Sequence, residues 1–330
     1  MNKRELAVKA LLPSIAAVIL QVALLASPAG AQPFPSRPLR VIVPQPPGGG
    51  FDSAARILSE PLAALLGQPV IVENRPGGGT IIGTEAAAKA EPDGYTLLLG
   101  ASANLVFTPA LYKTLPFNPR TDFATVGLAV ANTYTLVARN DLPQASLSEI
   151  VDFAKANPGK LTYASAGNGT GQHIAAAVLW HVSGVSVTHV PYKGAQGAYQ
   201  DLLPGRVDLF FDASQTAKGQ IDAGRVKALA VSGPSRLTTH PNVPTVREAG
   251  ADYELVSWIG YFAPAATPAP VLAQLRSDFA RAVAQPEITA RFEKSGLRVL
   301  RLSQEETAAL VASDIEKWTK LIRSAGISAD

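Results

Sequence analysis

The chain has 330 residues, 47% of them hydrophobic and 17% charged, with 29 Lys+Arg against 26 Asp+Glu and no cysteine. Without cysteine there can be no disulfide, thiolate metal site, cysteine nucleophile or lipid-modified cysteine behind a leader. A formal charge of +3, with no basic run and no basic stripe interleaved with aromatics, argues against nucleic acid as a partner.

Lys3, Arg4 and Lys9 open the chain as a positive segment, followed by an apolar run over residues 10–25 and by Ala29-Gly30-Ala31. This is the pattern of a secretory leader over residues 1–31, cleaved near Ala31 so that the exported protein begins at Gln32. The apolar run is short for a spanning helix and is interrupted by Pro13, Ser14 and Gln21. Removing Lys3, Arg4, Glu5 and Lys9 with the leader leaves 26 basic against 25 acidic residues, so the remaining chain is nearly neutral. About 300 residues suit two lobes better than one.

An apolar strand at Leu39–Val43 leads into Gly48-Gly49-Gly50-Phe51 and a helix over residues 52–66, which Pro61 should kink or break and Gly67 should stop. A strand at 70–73, the glycines Gly77–Gly79, a helix at 80–90 and a strand at 96–99 follow. Strands at 125–130 and 135–138 precede Ser146-Leu-Ser-Glu149, a capping box that opens a helix over 147–157. The strand 161–164 then delivers a second glycine loop, Ser165-Ala-Gly167-Asn168-Gly169-Thr170-Gly171, to a helix over 171–183. Strands at 187–190, 209–211 and 228–231 alternate with helices at 195–203 and 213–223. A proline-punctuated loop leads to a strand over 253–262, and two amphipathic helices close the chain, the second capped by Ser303-Gln-Glu-Glu306. This βα alternation predicts an α/β protein with mostly parallel sheets flanked by helices.

A strand that hands a glycine loop to a helix leaves backbone N–H groups free at the positive helix end, an arrangement that attracts an anion. Two such corners can hold a small acid between them, although glycines also serve plain tight turns. Nucleotide motifs fail: Gly167-Asn-Gly-Thr-Gly-Gln172 has Gln where the last glycine belongs, and no Lys-Ser/Thr follows Gly77–Gly83. Ser102 and Ser165 each carry half of a G-x-S-x-G elbow, which suits a hydroxyl donor or turn residue better than a nucleophile. His173, His181, His189 and His240 have no metal-site spacing, so no metal or cofactor is expected. His173 either reaches an anion or caps its helix. Asp212 ends a buried strand where open α/β sheets bind ligands, or caps the next helix. Lys193 is a charged ligand partner or a solvated loop residue.

Val43-Pro-Gln-Pro-Pro-Gly-Gly-Gly-Phe-Asp52, Gly67-Gln-Pro-Val-Ile-Val-Glu-Asn-Arg-Pro-Gly77 and Pro92-Asp-Gly-Tyr-Thr-Leu97 together resemble the Bug family of solute receptors, which serve tripartite tricarboxylate transporters. His189-Val-Pro-Tyr-Lys-Gly194, Asp201-Leu-Leu-Pro-Gly-Arg-Val-Asp208 and Pro244-Thr-Val-Arg-Glu-Ala-Gly250 continue the likeness in order, so that it covers the whole exported chain. The resemblance implies a periplasmic, non-enzymatic, monomeric binding protein of type II-like two-lobed fold, which hands a small organic acid to membrane permease subunits. Lobe 1 would comprise residues 32–134 and 258–330, and lobe 2 residues 135–257, with strands crossing near 130–136 and 255–262. Carried over residue by residue, the first loop offers Gly49, Gly50 and Phe51, and a facing loop offers Ser102 and Asn104. The second loop offers Ser165, Gly167, Asn168, Gly169 and Thr170. Asn104-Leu-Val-Phe107 and Phe51 are large and apolar, which suggests an apolar or aromatic acid. The alternatives are a sensing receptor in a signalling pair and a secreted serine hydrolase using Ser102 or Ser165.

Overall fold

The computed structural model describes residues 34–328, so the leader expected over residues 1–31 lies outside the described residues. Residues 37–330 form one compact unit, and the preceding unit, Met1–Ser36, is described only at residues 34–36. Within the larger unit the strands assemble into two sheets. The first contains β1 (Leu39–Val43), β2 (Val70–Asn74), β3 (Thr96–Ala101), β4 (Phe123–Asn132), β10 (Ser257–Pro264) and β11 (Arg298–Val299), in the order β11-β4-β10-β3-β1-β2. The second contains β5 (Tyr134–Arg139), β6 (Thr162–Ser165), β7 (Thr188–Pro191), β8 (Leu209–Ala213) and β9 (Val226–Val231), in the order β7-β6-β8-β5-β9.

The central strands of the first sheet are buried along their whole length, as strands covered on both faces must be. All six residues of β3 and all eight of β10 are buried. Helix α1 (Gly50–Leu66) packs Ala54, Leu58 and Leu62 inward, and Tyr261 of β10 donates its hydroxyl to Ala55 O at 3.1 Å. Helices α2 (Ile81–Ala88) and α3 (Thr108–Leu111) follow, separated by β3 and a fully buried π-turn at Ala103–Phe107. The second lobe carries α4 (Leu147–Ala156), α5 (Gly171–Val182), α6 (Ala195–Leu202) and α7 (Ser214–Asp222). One of its cores gathers Val137, Ala164, Leu202, Phe210 and Val226. Helices α8 (Ala269–Val283), α9 (Pro286–Lys294) and α10 (Gln304–Ser324) return to the first lobe. There Trp318 meets Phe107 edge-on at 5.4 Å, and Asp314 Oδ2 accepts from Trp258 Nε1 at 2.8 Å.

The chain passes between the sheets twice. The first passage is Thr133, the single residue between β4 and β5. The second ends at Ser257 and is pinned by two buried serines. The Ser232 hydroxyl donates to Leu255 O at 2.6 Å and accepts from Tyr134 N at 3.0 Å, tying the two passages together. Ser102 Oγ accepts from Trp258 N at 3.1 Å where the chain re-enters the first lobe.

Two local expectations need adjustment. Helix α1 runs unbroken through Pro61, because Pro61 lies on its buried side among Ile57, Leu58 and Leu62, and tertiary packing outweighs the lost backbone bond. The strand directions are also more mixed than βα alternation suggests. β1–β2, β1–β3, β6–β7 and β6–β8 are parallel, whereas β10 runs antiparallel to β3 and β4, and β5 to β8 and β9. Strands that carry the chain from one sheet to the other run against their neighbours.

Candidate ligand-binding cleft

The first glycine loop is shaped by Asp52. Gly48 N, at a left-handed φ of 81°, donates to Asp52 Oδ2 at 3.0 Å, and Arg56 closes an ion pair with the same carboxylate at 3.0 Å. Burial acts to raise the Asp52 pKa, but Arg56 and the Gly48 amide outweigh it and hold the group below its ordinary value. Gly49 is the N-cap of α1, and among the described residues no acceptor meets the amides of Gly49, Gly50 or Phe51. These are the orphan donors of a helix start, on the loop that follows β1. Phe51 itself is buried.

The second loop is built differently. Gly167 N donates to Ser165 Oγ at 3.1 Å, Gly169 N to His173 Nδ1 at 3.3 Å, and Thr170 N to Gly167 O at 3.3 Å. Thr170 caps α5 by accepting from His173 N at 3.4 Å, and its own hydroxyl donates to Gly167 O at 2.7 Å. Both glycine amides are therefore used to shape the loop. At the start of α5, the Gly171 and Gln172 amides have no acceptor among the described residues. Asn168 is exposed at the loop tip.

Beneath this loop His189 is stacked between Tyr163, at 4.8 Å, and His173, at 4.3 Å. Burial drives the His173 pKa down to about 3, with His189 adding to the effect, and the His189 pKa down to about 4. Both rings are thus neutral at neutral pH. His189 Nε2 lies 2.7 Å from Ser165 Oγ, a Ser–His pair in distance only. Ser165 is fully buried, Gly167 N occupies its oxygen, and no carboxylate meets the other His189 nitrogen among the described residues, so the parts of an acyl-transfer triad are missing.

The remaining candidates divide in the same way. Asn104 is buried, with Oδ1 accepting from Ala101 N at 2.7 Å and Nδ2 donating to Thr84 at 3.1 Å, so it shapes the turn after β3. Ser102 is held by Trp258 N. The apolar run that follows does not form a ligand wall. Leu105 packs near Gly100 and Phe262, and Phe107 against Trp318, so its hydrophobicity is that of the lobe 1 core. Asp212 is fully buried and takes Tyr199 OH at 3.0 Å, Thr216 Oγ1 at 2.5 Å, Ala213 N at 2.7 Å and Gln172 Nε2 at 3.5 Å. Burial raises its pKa to about 6 against the effect of these donors. Its oxygens are committed to fixing the starts of α7 and α5. Lys193 is exposed, on a segment whose flanking amides bond back to Ser165 O and Ala166 O.

The lobes meet across these loops. A Cβ placed on Gly50 would stand 2.1 Å from Gln215 Nε2 on α7. One on Gly79 would stand 2.8 Å from Asn168 O, and one on Gly169 would stand 3.8 Å from Thr108 Oγ1. Sequence reasoning missed Gln215, Gly79 and Thr108 as parts of this contact. The one available signal was the run Gly77–Thr80. All four residues have positive φ, including Thr80 at 85°, a conformation β-branched residues avoid. At the passage between sheets the Tyr134 hydroxyl abuts Gly171, where a Cβ would come within 1.8 Å. Burial pushes the Tyr134 pKa up to about 12, partly offset by Ser257 and Asn132. Among the described residues there is also a cavity of about 420 Å³ beside the passages, lined by Thr133, Leu237, Val256 and Leu297. No residue of either glycine loop lines it.

The family model for the tripartite tricarboxylate transporter family receptor matches residues 54–327. A UPF0065 protein from the tcbD-tcbE intergenic region of Pseudomonas sp. strain P51 is 39% identical over 291 residues, which cover 88% of this chain and 86% of that protein. The solved periplasmic binding protein BugD is 36% identical at a TM-score of 0.83, covering 89% of this chain and 99% of its own. MatC of Rhodopseudomonas palustris, solved with bound malate, is 33% identical at a TM-score of 0.82, covering 88% and 100%. A second protein of that organism, solved with adipate, is 30% identical at a TM-score of 0.84, covering 89% and 99%. The chain belongs to the tripartite tricarboxylate transporter receptor family, a group of two-lobed periplasmic solute-binding proteins that are not enzymes.

Proposed function

We propose that this receptor binds a small carboxylate between its lobes and passes it to a membrane permease of the tripartite type. The observation that carries the reading is that two helix starts with free amides, those of α1 and α5, follow loops at which the lobes meet, Gly50 against Gln215 and Gly169 near Thr108. α1 offers the free amides of Gly49, Gly50 and Phe51, and α5 offers those of Gly171 and Gln172. Backbone donors at positive helix ends hold an anion without a charged side chain. Ser165, His173, Asn104, Thr170 and Asp212 act behind them, keeping the loops in shape. Malate in MatC and adipate in its relative make four- to six-carbon dicarboxylates the first ligands to test, ahead of the aromatic acids that Phe51 suggested.

The lobe boundaries follow the passages, at Thr133 and ahead of Ser257, and hinge closure about them traps the ligand. Residues 1–31 act as a cleaved leader. A thermal-shift screen of organic acids against the exported chain tests the binding reading: a ligand at 100 times its Kd adds about 2.7 kcal/mol of stability. A screen without any stabilising acid counts against it. Mass spectrometry of the exported protein should give an N-terminus at Gln32, and retention of the intact leader would contradict the cleavage.

A further inference from the structure

Gln215 belongs to the second lobe, yet its side chain ends against the first. Its Nε2 occupies the space where a Gly50 side chain would project, and its Cα lies 3.7 Å from where a Cβ on Gly296 would stand. Two segments of lobe 1 thus confine it. Both ends of its carboxamide, Nε2 and Oε1, are buried, and neither meets a hydrogen-bond partner among the described residues. A buried amide unpaired at both ends is unfavourable unless something else fills it. Beside it, the Gly49, Gly50 and Phe51 amides also lack acceptors among the described residues.

A carboxylate accepts from those amides and from Nε2, but it has no proton to give Oε1. A ligand that satisfies the whole cluster carries a donor next to its carboxylate. An ammonium group would call for a nearby free carboxylate, and the acids at these helix starts are already engaged. Asp52 pairs with Arg56, and Asp212 accepts from four donors. We infer that Gln215 is a specificity-determining residue that selects hydroxycarboxylates, its Nε2 donating to a carboxylate oxygen and its Oε1 accepting from the adjacent hydroxyl. The inference rests on the reading of this cleft as a carboxylate site.

Matched acids that differ by one hydroxyl test it: lactate against propionate, malate against succinate, and citrate against tricarballylate. Calorimetry on the wild type should give the hydroxylated member of the best-bound pair about tenfold tighter binding or more, since sites built to hydrogen-bond a group reject the analogue lacking it. Gln215→Leu should bring that ratio close to one. Gln215→Glu, which keeps an acceptor but places a negative charge beside the carboxylate, should weaken both members. Thermal melts check that each variant is folded. Equal affinities in the wild type, or a preference surviving in Gln215→Leu, would overturn the role of Gln215 while leaving the carboxylate reading intact. If none of the six acids binds the wild type while another carboxylate of the acid screen does, this inference fails and the carboxylate reading stands; if no carboxylate binds, both fail.

Discussion

Gly50 opens α1 directly after its N-cap, while Gly169 stands just before the N-cap of α5, and a methyl group added to each should do different things. Gly50 has ordinary helical backbone, and its Cβ would strike only the flexible end of Gln215. Gly50→Ala should therefore keep its melting temperature and lose about tenfold or more in ligand affinity, 1.4 kcal/mol per decade. Gly169 has a φ of 78°, with no atom closer than 3.5 Å to its added Cβ. Gly169→Ala should lose about 1–2 kcal/mol of stability through backbone strain alone. Paired melts and calorimetry separate the two, and intact affinity in Gly50→Ala would place the ligand elsewhere. The stacked histidines give the protein an acid-sensitive term. Their folded pKa values, about 3 and 4, lie below the ordinary 6.5, so the unfolded chain binds protons first. Their stabilisation is complete above about pH 6.5 and is lost as pH falls toward 4. Asp212, raised to about 6, works in the opposite sense: its contribution is present below the ordinary 3.8 and is lost as pH rises through 6. Melts between pH 4.5 and 6.5 should show a shallower acid loss in His173→Gln and a steeper one in Asp212→Asn. Unchanged slopes in both would remove these groups from the pH response. The glycine loops and their polar residues were legible in sequence because glycine and cap chemistry are local. Which amides stay free was not, because Ser165 and His173 reach the loop only once β6 and α5 are packed.

At the scale of elements, helix ends were the most readable feature. Ser146 accepts from Glu149 N, Ser303 and Glu306 form a reciprocal capping box, and Gly67 and Gly184 end their helices at φ values of 67° and 65°. Ser303→Ala should cost about 1 kcal/mol in urea unfolding, because it removes the acceptor at the start of the helix that carries Trp318. It should leave ligand affinity untouched, and a change in affinity would mean that α10 communicates with the cleft. The π-turn at Ala103–Phe107 was not legible. Its five residues show neither a strand nor a helix period, and the turn is closed from outside the run, by Thr108 N and Thr108 Oγ1 bonding to Ala103 O. Pro61 misled for a related reason: a local rule spoke for a break, and the packing of a long buried face overrode it.

For the whole molecule, alternating strands and helices pointed to α/β lobes, but the mixed strand directions came from the two passages between sheets, which no local pattern encodes. The same passages bring residues far apart in the chain into contact, Gly50 with Gln215 and Gly79 with Asn168 at the tip of the second loop. The central claim is that free backbone amides at the starts of α1 and α5 hold an anionic ligand. Calorimetric titration of the exported chain with malate and adipate, each beside its dimethyl ester, tests it most directly. At least one of the free acids should bind at a single saturable site, while its ester, of nearly the same shape but uncharged, should give no heat of binding. Equal affinity for acid and ester would contradict the claim.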